Sequence, residues 1–164
     1  MTDYSMAMQY RVKQLLNYDP DTGVFTWLVS NGRRKSGSVA GSFESNGYLQ
    51  IKIDGIQYMA HRIAWIYMYG CWPDGMLDHK DRNKINNRIE NLRIATPQQN
   101  QQNHGLSSRN KSGVKGVCWH KERGKWLAQI NIGRKNIHIG RFDDLELAEL
   151  VSSEARAKYF GEFA

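Results

Sequence analysis

Apolar and polar positions recur with two periods along the chain, and they predict short helices and strands. Spacings of three and four residues indicate helices, whereas alternation and β-branched or aromatic runs bounded by turn residues indicate strands. In the first part of the chain they predict a helix over 6–16, strands Val24–Trp27, Tyr48–Ile53 and Ile56–Ala60, and an apolar helix His61–Tyr69. Asp54-Gly55 signals a two-residue hairpin turn, and Gly70 ends the apolar helix. The predicted fold class is α+β.

The composition changes after residue 104. Residues 105–113 hold Gly, Ser, Asn and basic residues with almost nothing apolar, which is typical of a linker. Beyond it the pattern predicts three short strands and a helix, over residues 116–120, 125–131, 136–142 and 144–160. We therefore expect a domain over residues 1–104 and a small domain over 114–164, in which a three-stranded antiparallel sheet packs on one helix.

The stretch Leu77–Asn100, LDHKDRNKINNRIENLRIATPQQN, organises the first domain. It begins with an apolar residue before an Asp-His pair, passes through a polar loop rich in Asn, Lys and Arg, and returns on a short apolar run. Thr96 as N-cap, Pro97 at the first helical position and Gln99 three residues after the cap predict a helix start. The predicted order is strand, loop, strand, helix.

Three side chains of this stretch carry its chemistry. Asn100 falls in the first turn of the predicted helix, near the open end of the hairpin, where it can converge with Asp78. His79 follows Asp78 directly, and a neutral imidazole can take a proton from water near neutral pH. A carboxylate, an imidazole and an amide oxygen brought together can hold one hard divalent cation and activate one water.

Composition narrows the possible partners and compartments. The formal net charge is +7 in 164 residues, which favours a polyanionic partner. The two cysteines, Cys71 and Cys118, lie far apart without a CxxC spacing, which fits a reducing cytoplasm and excludes a Cys-rich zinc site. No apolar run reaches the length of a membrane span, and the N-terminal residues lack the order of a signal peptide. We expect a cytoplasmic protein with no membrane partner.

The central stretch resembles the ββα-metal core of HNH endonucleases, specifically the phage and intron-encoded homing type with Asn in place of the last His. The resemblance implies that His79 is the general base and that Asp78 and Asn100 are the metal ligands. It assigns Asn91 as the middle Asn that braces the loop. Since an amide oxygen is a harder ligand than imidazole, the expected cofactor is one Mg²⁺ or Mn²⁺ ion.

Some assignments in the first domain stay open. Asn103 and His104 follow Asn100 on the same helix face, so either is an alternative third group, although we prefer Asn100. His61 has a structural role first and an active-site or phosphate role second. The basic triplet over residues 33–35 either faces solvent or contacts phosphate.

Charge divides the second domain into a basic sheet and an acidic helix. Residues 105–142 contain nine Lys/Arg and one acidic residue, whereas residues 143–164 contain two basic and six acidic residues. The open face of the sheet is therefore the one that would meet a phosphate backbone. Alternation turns the sheet's apolar residues Trp126, Ala128, Ile130, Ile137 and Ile139 toward the helix.

Residues 112–161 resemble the Apetala/ethylene-response-factor DNA-binding domain, through GVKGVCWHKERGKWLAQI and IHIGRFDDLELAELVSSEARAKYFG. The resemblance implies that the sheet lies in the major groove of DNA. Amides such as Gln129 and Asn131 are candidates for base edges, and the basic residues for phosphates. The candidate DNA contacts are Lys115, His120, Lys121, Arg123, Lys125, Gln129, Asn131, Arg134, Lys135, Asn136, His138 and Arg141.

The leading hypothesis is a metal-dependent endonuclease for double-stranded DNA. One hairpin per chain implies one active site, so we expect a monomer or weak dimer that nicks or homes to a site. The resemblance suggests a phage-encoded enzyme acting in a bacterial host cell. The alternative is a non-catalytic, sequence-specific DNA-binding regulator on a nuclease scaffold, and RNA as the nucleic acid is a third hypothesis.

Overall fold

The structure, a computed structural model, describes residues 2–133 and 135–164. Its contacts group into two units, one ending at Thr96 and the other spanning Pro97–Ala164. Helices and strands are mixed in both, as the predicted α+β class requires. Within the described ranges, none of the helices combines the length and the apolar character that a membrane crossing needs.

In the described residues of the first unit there are two α-helices and three small antiparallel sheets. A short 3₁₀ turn over Ile89–Asn91 precedes its last strand. The sheets pair β1 with β2, β3 with β4 and β5 in that order, and β6 with β7. The elements are α1 (Thr2–Leu15), β1 (Leu16–Asp19), β2 (Val24–Trp27), β3 (Ser42–Phe43), β4 (Leu49–Ile53), β5 (Ile56–Met59), α2 (Ala60–Tyr69), β6 (Met76–His79) and β7 (Leu92–Ala95).

One apolar core joins these elements. Helices α1 and α2 bury one face each against the inner faces of β1, β2 and β4, because their apolar residues recur at helical spacing. The fully buried side chains include Val12, Leu16, Phe25, Ile51, Ile53, Ile63 and Ile66. Gly70 ends α2 in the left-handed conformation and donates its N–H to the Ile66 carbonyl, which confirms the predicted stop.

The part of the second unit that the structure describes holds two α-helices and one sheet. Its elements are α3 (Pro97–Asn103), β8 (Val117–His120), β9 (Lys125–Ile132), β10 (Lys135–Phe142) and α4 (Leu145–Phe160). The strands are antiparallel in the order β8-β9-β10, and α4 packs on them around Val117, Ala128 and Ala148. Asp144 caps α4 by accepting the Glu146 N–H at 2.6 Å. The predicted three strands and one helix are therefore confirmed.

A β-bulge between His138 and Gly140 changes the alternation of β10. The extra residue is Ile139, which packs against the core. Ile137, which the sequence places toward the helix, is 37% exposed. Ile137 pairs directly with buried Ile130, so it lies on the helix-facing side of the sheet as the alternation predicts. What a regular alternation does not predict is the bulge at Ile139.

Helix α3 groups with the second unit, although the sequence assigns it to the domain over residues 1–104. The reason is local to the second unit. The ammonium of Lys115 donates to the carbonyls of Gln102 and His104, and Arg156 Nη2 donates to the same Gln102 carbonyl at 3.3 Å. These cations cover carbonyls at the end of α3 that the helix itself leaves without partners.

Candidate active site

The hairpin of β6 and β7 positions Asp78 and His79. In its register Asp78 lies opposite Arg93, and His79 opposite Leu92. Because successive residues of a strand face opposite sides, the two side chains have different neighbours. Both are buried, although they are polar.

Asp78 forms an ion pair with Arg93 across the hairpin. Arg93 Nε and Nη2 both lie 2.9 Å from Oδ2 of the carboxylate. Both side chains are more than nine-tenths buried, so the pair is shielded from solvent and from screening by salt. Removing one partner of such a pair leaves a buried charge without its counterion, so the two residues have to be treated together.

Asn91 joins the two ends of the loop that connects β6 to β7. Its amide nitrogen donates to Asp81 Oδ1 at 3.0 Å and to the Asn86 carbonyl at 2.8 Å, and its oxygen accepts the Asp81 N–H. The Lys80 N–H also donates to the Asn91 carbonyl. Although burial alone would raise the pKa of Asp81, hydrogen bonds from Asn86, the Asn83 backbone and Asn91 lower it overall. The loop is held as one hydrogen-bonded unit.

His79 lies against Asn87 of the same loop. Its Nε2 is 3.3 Å from Asn87 Oδ1, and the two residues are 4% and 1% exposed. Burial lowers the pKa of His79, although the contact with Asn87 and nearby carboxylates oppose this effect. A neutral imidazole that donates to this amide oxygen carries its hydrogen on Nε2 and its lone pair on Nδ1.

Two further rings, Tyr48 and His61, pack on His79. The His61 ring meets His79 edge-on with centroids 5.2 Å apart, and Tyr48 lies 6.0 Å from His79 and 5.4 Å from His61. Burial, with smaller effects from His79 and Arg62, lowers the pKa of His61 to about 3. His61 is therefore neutral at physiological pH, and it borders the site as a buried ring.

The buried His61 predicts that the first unit loses stability in acid. An unfolded histidine gains its proton below a pKa of about 6.5, whereas folded His61 does so only at about 3. Between these values the unfolded state binds more protons, so the free energy of unfolding falls by up to about 1.4 kcal/mol per pH unit as pH decreases. Urea unfolding at several pH values measures this slope.

The slope should become flatter in His61→Gln, which cannot titrate, and should stay unchanged in His104→Gln, which alters an exposed histidine of the second unit. If His61→Gln loses as much stability between pH 6.5 and pH 4.5 as the parent, the neutral buried state of His61 is wrong.

The remaining candidates for the metal site lie in the second unit. Asn100 is half-buried on α3, Asn103 is buried near the end of that helix, and His104 is exposed just beyond it. Asn103 is about as buried as Asp78 and His79, so burial does not decide among the three candidates. The preference for Asn100 over Asn103 and His104 stays a prediction.

The candidate DNA contacts of the second unit differ in their surroundings. Lys121, Arg123, Lys135 and Arg141 are exposed, whereas Lys115 is bound to α3 and Lys125 pairs with Asp143 at 3.0 Å. On the outer face, Asn136 donates to Gln129 Oε1 at 3.1 Å. The others on β8 to β10 are His120, Asn131 and His138, and Arg134 lies outside the described residues.

Several neighbours of the predicted site could not be predicted from the sequence. Asn87, Arg93 and Tyr48 contact His79 or Asp78, yet none was predicted as a site residue. Asn87 lies in an Asn-Asn pair of a polar loop, and such pairs are common turn residues. The cross-strand position of Arg93 was the one signal available, because the hairpin register brings it opposite Asp78.

The part of the chain that holds the candidate site is similar to a known protein family. The HNH endonuclease family model matches residues 58–102, which run from the end of β5 through the hairpin into α3. Protein 3.8 of Escherichia phage T7 is 33% identical over 105 residues, which cover 63% of this chain and 86% of that protein. No solved structure matches the chain.

Two further relatives are named as HNH endonucleases. A prophage-derived protein of Bacillus subtilis, named as an HNH homing endonuclease, is 35% identical over 49% of this chain. A protein of Acanthamoeba polyphaga mimivirus, named as an HNH endonuclease, is 36% identical over 56% of it. The chain spans about half the length of each, 47% and 46%.

Proposed function

Since this chain belongs to the HNH endonuclease family, we propose that it is a DNA endonuclease that hydrolyses phosphodiester bonds with His79 as general base. The observation that carries the proposal is the environment of His79. Its imidazole is buried at the end of β6, and it contacts Asn87 of the loop through Nε2. This contact uses Nε2, so Nδ1 is the nitrogen that would accept a proton. Burial lowers the pKa of His79 and so favours the neutral ring.

His79 performs the proton transfer in this proposal. With its hydrogen on Nε2, the imidazole accepts the proton of an attacking water at Nδ1. Asn87 fixes the tautomer and the ring plane, and Asn91 keeps the loop that carries Asn87 closed. The expected products are a 5′ phosphate and a 3′ hydroxyl.

Asp78 and Asn100 are the proposed ligands of one Mg²⁺ or Mn²⁺ ion. Carboxylate and amide oxygens suit these hard cations, and Arg93 holds the Asp78 carboxylate in place. In the described part of the chain, no group of three or more His, Cys, Asp or Glu side chains could hold a metal. Mg²⁺ needs only one or two carboxylates beside water and phosphate oxygens, so Asp78 and Asn100 would be sufficient protein ligands. When bound, the cation supplies positive charge to the developing phosphorane.

Asp78→Asn tests this assignment and keeps an oxygen beside Arg93. Because it leaves that buried guanidinium without its counterion, thermal unfolding must first show that the variant is folded. We expect the Mg²⁺ concentration for half-maximal cleavage to rise about 10-fold or more, because one ligand loses its charge. Asn100→Ala should have the same effect, and both should weaken Mn²⁺ binding measured by electron paramagnetic resonance. Duplex binding in EDTA should remain at the level of the parent.

Two variants serve as controls for this test. Asp74→Asn changes an exposed acidic residue in the turn before β6, and it should leave the metal requirement unchanged. His104→Ala addresses the alternative third group. A metal requirement that rises in His104→Ala and stays constant in Asn100→Ala would reassign the ligand.

The sheet of the second unit is the proposed DNA-binding surface. Its exposed cations would contact phosphates, which position the protein, and its amides would contact base edges, which give sequence preference. The bond from Asn136 to Gln129 Oε1 supports this division, because an amide whose oxygen already accepts a hydrogen bond would use its nitrogen as the donor to a base edge. Lys115 and Lys125 remain candidate contacts that also serve the fold.

The proposal also bears on how many strands are cut and where the enzyme acts. One hairpin gives one active site per chain, so a monomer would nick one strand and a dimer would be needed to cut both. A phage relative and a relative named as a homing enzyme favour a site-directed enzyme acting in a bacterial host. The alternative, a DNA-binding regulator without catalysis, predicts tight duplex binding with no strand cleavage at any metal concentration.

A further inference from the structure

We infer that the turn between β1 and β2 positions the catalytic loop, and that Tyr18 and Gly23 are positioning residues for His79. This inference rests on the proposed function, because it concerns the proposed general base. The turn spans Asp19–Gly23 and lies about 60 residues from His79 in sequence. Tyr18, just before the turn, bonds to the loop backbone at Asn87, and Gly23 leaves no room for a Cβ beside the backbone of Asn87 and Arg88.

Tyr18 contributes a hydrogen bond. Its hydroxyl donates to the Asn87 carbonyl at 2.6 Å, in a buried position. Its ring stacks on Phe25 with centroids 4.6 Å apart and meets Tyr67 edge-on at 5.5 Å. Burial raises the pKa of Tyr18, so the hydroxyl keeps its proton and remains a donor. The carbonyl of Asn87 is thus held by a donor that the aromatic core fixes in place.

Gly23 allows the turn to lie close to the backbone of the loop. It has a φ of +74°, and a Cβ added there would lie 2.5 Å from Arg88 N and 2.6 Å from Asn87 C. The turn is itself rigid, because Gly23 N–H and the Thr22 hydroxyl both bond to Asp19. Any side chain at this position would have to displace the loop backbone or the turn.

Asn87 transmits the position of the turn to His79. Its carbonyl accepts the Tyr18 hydroxyl, its peptide carbon lies where a Cβ at Gly23 would clash, and its side-chain oxygen contacts His79 Nε2. The residue is 1% exposed, so it cannot shift without displacing its neighbours. A small movement of the turn would therefore change the direction of the imidazole, and small misplacements of catalytic groups cost large factors in rate.

Tyr18→Phe removes the hydroxyl and keeps the ring. We expect kcat for duplex cleavage to fall about 10-fold, with KM and duplex affinity unchanged. A misplacement of about 1 Å can lower a rate about 100-fold, and the loss of one hydrogen bond should displace the loop by less than that. Tyr67→Phe is the matched control, since its ring belongs to the same aromatic cluster. It should retain the kcat of the parent.

A double-mutant comparison separates positioning from stability. In an Asn87→Ala background the link to His79 is already absent, so adding Tyr18→Phe should lower kcat no further. A contribution to stability alone would instead give the same fall in kcat in both backgrounds. Thermal unfolding of each variant confirms that the proteins compared are folded.

Gly23→Ala tests the close approach, and Gly55→Ala controls for backbone strain. Gly55 lies in the β4–β5 turn with a φ of +87° and nothing within 4 Å of an added Cβ. Both variants carry a strained alanine, but only Gly23→Ala presses on Asn87 and Arg88. We expect kcat to fall about 10-fold or more in Gly23→Ala alone.

Imidazole NMR signals make the inference testable apart from activity. Tyr18→Phe and Gly23→Ala should shift the ¹⁵N and ¹³C resonances of the His79 ring, while Tyr67→Phe and Gly55→Ala should not. If the parent does not cleave DNA but these shifts occur, the proposed function fails and the positioning stands. Unchanged His79 resonances and unchanged kcat in folded Tyr18→Phe and Gly23→Ala would overturn the inference.

Discussion

His79→Ala is expected to lower kcat for duplex cleavage by about 10²–10⁴-fold, the range that a positioned general base contributes. The cause is the loss of the nitrogen that accepts the proton of the attacking water. Affinity for duplex DNA should stay close to that of the parent, because the buried imidazole is not one of the proposed DNA contacts. Single-turnover cleavage of a labelled duplex, with binding measured separately in EDTA, gives both quantities.

The matched control is His104→Ala, which removes an exposed histidine of the second unit. It should cleave at the rate of the parent if Asn100 rather than His104 serves the metal. His79→Ala also removes a ring that packs on His61 and Tyr48, so its thermal stability must be recorded. A folded His79→Ala that cleaves as fast as the parent would show that another group activates the water.

The second large effect concerns the basic sheet. Replacing Lys121, Arg123, Lys135 and Arg141 by glutamine should weaken duplex binding about 10²-fold near 0.1 M salt. If all four side chains neutralise phosphates, the slope of log affinity against log salt should become shallower by about 0.9 for each cation replaced. The cleavage rate at saturating DNA should change little, because these four residues take no part in the proposed proton transfer.

Glutamine substitutions on the acidic helix α4 are the control for this experiment. Glu146, Glu149 and Glu154 are exposed on that helix, and neutralising them makes the protein more basic. Affinity should stay equal or rise. Equal affinity and an unchanged salt slope in the fourfold sheet variant would remove the case for this sheet as the DNA-binding surface.

Local signals explain why most elements could be predicted. The turn at Asp54-Gly55 has both residues at positive φ, as its residue types indicated. The second unit has the strands and the capped helix that alternation and capping residues predicted. These features depend on neighbours in the chain, so a single sequence contains them.

Features that depend on long-range contact were missed. Leu16 continues the apolar spacing of α1, yet it begins β1, because pairing with Trp27 decides its conformation. The sequence does not predict β3, whose two residues form a strand only beside β4.

In the candidate site, too, features with a local signal could be predicted and features that depend on long-range contacts could not. The Asp-His pair and the loop asparagines could be found from the sequence because their spacing resembles a known family. The choice of Asn87 as the contact of His79 could not, since the loop offers several asparagines of equal chemistry. The roles of Tyr18 and Gly23 required the packing of distant segments.

The central claim is that this chain hydrolyses DNA strands with a divalent cation and His79. Its most direct test is incubation of supercoiled plasmid with the intact protein in Mg²⁺, and in EDTA. The account predicts nicked circles with 5′-phosphate ends in Mg²⁺ and unchanged plasmid in EDTA. Plasmid that is bound but stays intact in both Mg²⁺ and Mn²⁺, or is cut equally well in EDTA, would contradict it.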